Sequence, residues 1–135
     1  MSFLSEQLDN GQFVVTAEIA PPKGTDLSEA LAAVEKLTGI TAVNVTDNQG
    51  ANMRLSSLAL AARLQQQGTE TVLQLTCRDR NRMALQSDLL GAASFGIENL
   101  LLLSGDHSKF GDHPDSRPVF DLDSVQLLDM AAGLM

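Results

Sequence analysis

Four side chains able to hydrogen-bond a ligand or move a proton recur along the chain at a near-constant interval: Glu18, Thr46, Gln74 and Asp106, in steps of 28, 28 and 32 residues. Each stands where an apolar run gives out, and Asp47 and Thr76 lie close to the middle pair. A carboxyl group at an apolar strand end suits general acid work. Pro21 and Pro22, just after Glu18, fix the backbone of the loop that follows it. Taken singly, ordinary structural roles would serve: a solvated strand residue, a helix cap, a satisfied core amide, a turn aspartate after Gly105. Four such groups at equivalent positions are better explained by one shared edge that meets a ligand.

The elements that must position them alternate strand and helix. β-branched and apolar runs predict strands over about 12–19, 40–46, 70–76 and 97–103. Between and after them, residues 27–37, 53–67, 81–95 and 122–134 carry helical periodicity. Asp26 or Ser28 is placed to cap the first of these helices, and Gly68 and Gly96 to stop the second and third. Strands separated by helices must pair in parallel, with the helices covering the sheet. The run Leu100 to Leu103 then reads as a parallel strand buried on both faces.

Two architectures fit four consecutive βα units. One is a small doubly wound sheet; the other is the first half of a (β/α)8 barrel of the TIM type, for which roughly 250 residues is typical. No G-x-G-x-x-G turn follows the first strand and nothing signals a reversal of strand order, so the half-barrel is the reading adopted for residues 1–135. In both folds ligands bind at the carboxyl ends of the strands, which is where the four polar groups fall.

Composition narrows the partners. With 135 residues, 44% hydrophobic and 19% charged, the chain can bury a core. Its net charge of -8 and lack of a Lys/Arg cluster argue against nucleic acid and anionic membrane surfaces. No run approaches the roughly 20 apolar residues of a membrane span, and "MSFLSEQLDNG" has no basic region leading into an apolar one, so a cytoplasmic protein is expected. The single cysteine, Cys77, is expected as a buried strand-end thiol. His107 and His113 have no spacing suited to a metal pair, so no metal site is predicted. The loop that holds them does not match the Walker phosphate loop.

Four ordered motifs, spanning nearly the whole chain from Phe13, resemble those of the methylenetetrahydrofolate reductase family. They are "TAEIAPPKG", "VNVTDNQGA", "LQLTCRD", and "LLLLSGDH" with the following "HPDSRPVFDLDSVQLL". The resemblance implies a flavin enzyme on a (β/α)8 barrel in which FAD takes a hydride from NADH or NADPH and passes it to 5,10-methylenetetrahydrofolate, giving 5-methyltetrahydrofolate. It implies catalytic roles for Glu18, as the acid that assists opening of the folate's five-membered ring, and for Asp106, as the carboxylate near flavin and folate. Thr46, Asp47, Gln74, Ser104, Gly105 and Asp121 form the implied cofactor-binding set. Thr46 corresponds to the nicotinamide and flavin site, and Gln74 stands where many members carry a histidine. Ser104 replaces a common arginine, and Ile19 and Ala20 replace frequent aromatics, as in a divergent branch.

A whole barrel of this family needs four more βα units than these, and the first and fourth strands would be bare edges. The expectation is therefore a half-barrel that self-associates or joins a second half-barrel chain around a folate substrate. The competing readings are a non-catalytic fragment or accessory subunit that retains part of a flavin site, and a small flavodoxin-like domain with an unrelated ligand.

Overall fold

In the computed structural model, which describes residues 1–134, four strands form one wholly parallel sheet in the order β1-β2-β3-β4. The strands are β1 (Thr16–Ile19), β2 (Ala42–Val45), β3 (Thr71–Thr76) and β4 (Asn99–Leu103). The helices are α1 (Phe3–Asp9), α2 (Ser28–Glu35), α3 (Ser57–Gln66), α4 (Arg82–Ser94) and α5 (Ser124–Gly133). Strand order follows chain order without reversal, which separates a barrel segment from a doubly wound sheet. The molecule is thus an α/β domain of four consecutive βα units, the arrangement of a TIM-barrel half.

The register divides the strand residues between two faces. Val43, Val45, Leu73, Leu75 and Leu102 point to one side, where they pack with Leu60, Leu64, Leu85, Leu89 and Leu127 of the helices. Leu60, Leu73, Leu75, Leu85 and Leu127 are fully enclosed, each stabilising the fold by about 1.5–3 kcal/mol. Glu18, Asn44, Gln74 and Thr76 occupy the opposite, polar face. Val72, Leu101 and Leu103 share that second face by register, so its polar groups are concentrated toward the carboxyl ends of the strands, where a barrel places ligand groups.

The leucine run departs from the expectation of burial on both faces. Leu100 and Leu101 are 36% and 41% exposed, whereas all six residues of β3 are buried. The cause is position: β3 pairs on both sides, while β4 pairs only with β3. Leu102 alone of this group packs against the core cluster, on the side covered by the helices.

Two boundary shifts also have physical causes. The helix expected from 53 begins at Ser57 because loop groups engage the preceding amides. Asp112 Oδ1 accepts from Met53 N (2.9 Å), Asn48 Oδ1 from Arg54 N (2.8 Å), and the Pro22 carbonyl from Leu55 N (2.8 Å). The first strand is shorter than 12–19 because only Thr16–Ile19 finds partners in β2, and Phe13 lies 94% exposed. Helix α1, absent from the periodicity reading, crosses the amino end of the sheet. Leu4 N and Asn99 Nδ2 both donate to Glu70 Oε1 (3.2 and 2.8 Å), and Ser2 Oγ donates to Asn99 Oδ1 (2.6 Å).

Candidate active site

Where the polar face reaches the carboxyl ends of the strands, a cavity of about 130 Å³ opens among Glu18, Thr46, Gln74, Gly105 and Asp106. Five of the predicted site residues thus meet in one place, and Asp47 lines it as well. The parallel register brings them together: Glu18 is level with Asn44, so Thr46 stands one layer above, beside Gln74 and Thr76 of the next strand.

Glu18 projects at the rim, with its carboxylate accepting from Gln74 Nε2 (3.1 Å) and from Gln49 Nε2 at a longer 3.5 Å. No cation pairs with it among the described residues. Gln74 is buried, and its amide orients the acid rather than serving as an isolated core group. Thr46 is buried with its hydroxyl unpartnered, and it lines the cavity.

Asp47 is different in kind. Its carboxylate accepts from Thr76 N (2.8 Å), Thr76 Oγ1 (3.1 Å), and Arg80 Nη1 and Nη2 (2.7 and 3.1 Å). Arg80 in turn reaches Asp88 (2.9 Å). Burial opposes the charge of Arg80, and its hydrogen bonds to Asp47 with the charge of the nearby acids outweigh it and hold the guanidinium above its ordinary pKa. Asp47 therefore ties the ends of β2 and β3 together at the floor of the site.

Gly105 adopts φ +92°, and a β-carbon there would lie 3.0 Å from Thr76 Cβ. Only glycine lets the chain run this close over β3 and turn. Asp106 follows, exposed, with its carboxylate free of hydrogen bonds and ion pairs among the described residues. Ser104 and Asp121 do not line this cavity. Ser104 Oγ accepts from Ser124 N at the start of α5 (3.2 Å), and Asp121 Oδ2 accepts from Arg82 N at the start of α4 (2.9 Å). The last helix begins at Ser124, capped by Asp123 and Gln126 in a reciprocal box, so Asp121 precedes it.

Sequence reasoning passed over Arg78, Asn48 and Gln49. The signal was present: "CRDR" sets three charges directly behind the strand "TVLQLT", which is where a barrel places ligand groups. Cys77 is a buried thiol as expected, with burial raising its pKa and the charge of Asp123 adding to the rise. The histidines take up loop contacts: His107 Nδ1 accepts from Lys109 N (3.1 Å), and His113 Nδ1 meets Asp112 Oδ1 (2.8 Å).

A parallel sheet in chain order, helices on one face, and a polar cavity at the carboxyl edge together define a barrel-type domain with a candidate ligand site at the strand ends. The model of one protein family, described as methylenetetrahydrofolate reductase, matches residues 3–132. The chain belongs to that family, which places it among oxidoreductases of one-carbon metabolism. Among curated proteins, none matches the chain. No helix of the described residues is long and apolar enough to cross a membrane.

Proposed function

We propose that this chain forms the flavin-facing wall of a cytoplasmic enzyme that reduces 5,10-methylenetetrahydrofolate to 5-methyltetrahydrofolate with NADH or NADPH. The observation that carries the reading is the meeting of Glu18, Thr46, Gln74 and Asp106 in one cavity of a chain of this family.

FAD fits what the cavity offers. The buried Thr46 hydroxyl lacks a partner that a flavin heteroatom would supply, and Gly105 leaves the main chain bare for close approach by a flat ring. Thr46, Gln74 and Gly105 would hold the flavin; Ser104 and Asp121 would contact it only in parts that reach past the cavity, and Asp47 acts through the floor it stabilises. When bound, FAD supplies the hydride relay between nicotinamide and folate.

The chain's own groups do the rest. Glu18 holds a proton at the rim and delivers it to a folate nitrogen as the five-membered ring opens, with Gln74 fixing the direction of the carboxyl group. Asp106 brings a fixed negative charge close to the positive charge that develops on the folate carbon.

The cavity is smaller than the roughly 300–1,000 Å³ of small-molecule sites, so it would hold one edge of the ligands. The open edges of β1 and β4, with Leu100 and Leu101 exposed, support completion of the site by a second half-barrel chain or a second copy. The reading is tested by Glu18→Gln: reduction of bound FAD by NAD(P)H is expected to persist while transfer to folate slows by at least about a hundredfold. Equal loss of both half-reactions would refute the acid role.

A further inference from the structure

Arg78 lies two residues past β3 with a side chain only 3% exposed, and its guanidinium reaches three loops at once. Nε and Nη2 donate to the Asp79 carboxylate, each at 2.8 Å. Nη1 donates to the backbone carbonyl of Asp106 (3.1 Å), and Nη2 also donates to the backbone carbonyl of Asn48 (3.3 Å). These acceptors belong to the loops that follow β3, β4 and β2. Both carbonyls come from turns that sit in, or directly follow, left-handed backbone: Asn48 at φ 43° and Gly105 at φ 92°. The turn at Asn48, left-handed on a residue with a side chain, holds only where surrounding contacts over-determine it.

The partition of contacts matters for the chemistry. Asp79 takes the forked ion pair, the largest cause of the raised pKa of Arg78, while Asp106 accepts a hydrogen bond only through its carbonyl and its carboxylate adds a smaller attraction without contact. The Asp106 carboxylate is left unpaired and free to act on a ligand. Its place over the cavity is set through its main chain alone, by Gly105 resting on Thr76 and by the carbonyl held on Arg78.

We infer that Arg78 is the positioning residue for Asp106: a buried guanidinium, ion-paired to Asp79, that fixes the height of the Asp106 carboxylate over the cavity without forming an ion pair with it. The inference rests on the proposed role of Asp106 for its catalytic consequence, and on the geometry alone for its structural one. A lysine cannot take its place, because an ammonium lacks the planar fork that spans Asp79 and two carbonyls.

The test has two arms on the full chain. In the first, hydrogen exchange is followed without ligand in Arg78→Met and Arg78→Lys. Both are expected to speed exchange at Lys109 and Phe110, whose amides are held by His107 directly after Asp106, by about tenfold, the loss of one hydrogen bond to a charged group, while residues 71–76 stay protected. Arg78→Lys keeps the charge and the stem, so it reports even if Arg78→Met does not fold. Unchanged exchange at Lys109 and Phe110 in Arg78→Lys would overturn the inference.

In the second arm, with FAD bound, the half-reactions are compared for Arg78→Lys, Asp106→Asn and the double variant. If Arg78 acts through Asp106, the double variant is no slower than the slower single one, and the same half-reaction is affected in each. Effects that multiply would overturn the catalytic part. A wild-type chain that carries no flavin chemistry would sink the proposed function and leave the exchange result to decide the role of Arg78.

Discussion

At the amino ends of the strands, the turns that enter β2, β3 and β4 each take their positive φ on a glycine, Gly39, Gly68 or Gly96, with open space around it. At the carboxyl ends the same kind of backbone falls on Gly50 and Gly105 and also on Asn48, Ala51 and Phe120, which bear side chains. Polar groups divide the same way. The amino end is closed by Ser2, Glu70 and Asn99 bonding to one another beneath α1. The carboxyl end buries Asp47, Arg78 and an unpartnered Thr46 hydroxyl beside a cavity. One edge uses the least strained route between elements. The other accepts strain and unsatisfied groups, and those mark a place shaped for something other than stability.

The largest effect is expected from Asp47→Asn, which leaves Arg80 without its main partner at the site floor. Urea unfolding should lose about 3–5 kcal/mol, as for other broken buried pairs. A loss near zero would show that the floor is no more than a solvated ion pair, and the contrast between the two edges would weaken.

A matched pair of glycine substitutions sharpens the contrast. Gly68→Ala meets open space and should cost about 1 kcal/mol for its left-handed backbone alone. Gly105→Ala adds the close contact with Thr76 and should cost about 2–3 kcal/mol, and it should also displace Asp106. Equal losses in thermal unfolding would remove the distinction.

The smallest effect concerns a loop clasp above the carboxyl edge. Asp112 accepts from Lys23 Nζ (2.8 Å) and from Met53 N (2.9 Å), which hold its carboxyl well below the usual carboxylate range, with His113 adding to the effect. A carboxyl whose folded pKa is depressed stabilises above its unfolded pKa of about 3.9 and loses that contribution as pH falls toward the folded value. Asp112→Asn should therefore narrow the difference in melting temperature between neutral pH and pH of about 3, slightly and less so in high salt. A variant with the unaltered acid profile would exclude the clasp.

Much of this was legible in the sequence, for reasons visible in particular residues. The apolar runs around Val43, Val45, Leu73 and Leu75 marked strands because β-branched and leucine-rich segments bounded by turn residues leave few alternatives, while which side each residue faces came from the register. Regular spacing brought Glu18, Thr46, Gln74 and Asp106 to one edge because each βα unit repeats the same geometry. What escaped depends on contacts between distant segments. Leu100 and Leu101 read as buried, yet exposure is decided by whether a neighbour pairs with β4. The amides of Met53, Arg54 and Leu55 suit a helix until Asp112, Asn48 and Pro22 claim them. Arg78 could be counted as a charge, but its role emerged only once three loops were seen to converge on it.

The claim that the carboxyl edge is a flavin site is tested most directly by titrating FAD into the chain, followed by flavin fluorescence, with Thr46→Val set against Asn99→Ala at the opposite edge. The chain has no tryptophan or tyrosine to interfere. Thr46→Val removes a buried hydroxyl that has no partner, so it should leave stability unchanged or raised by about 1 kcal/mol while weakening FAD about tenfold. Asn99→Ala should cost stability and leave FAD affinity unaltered. FAD that binds neither protein, or that binds Thr46→Val as tightly as the parent chain, would contradict the account.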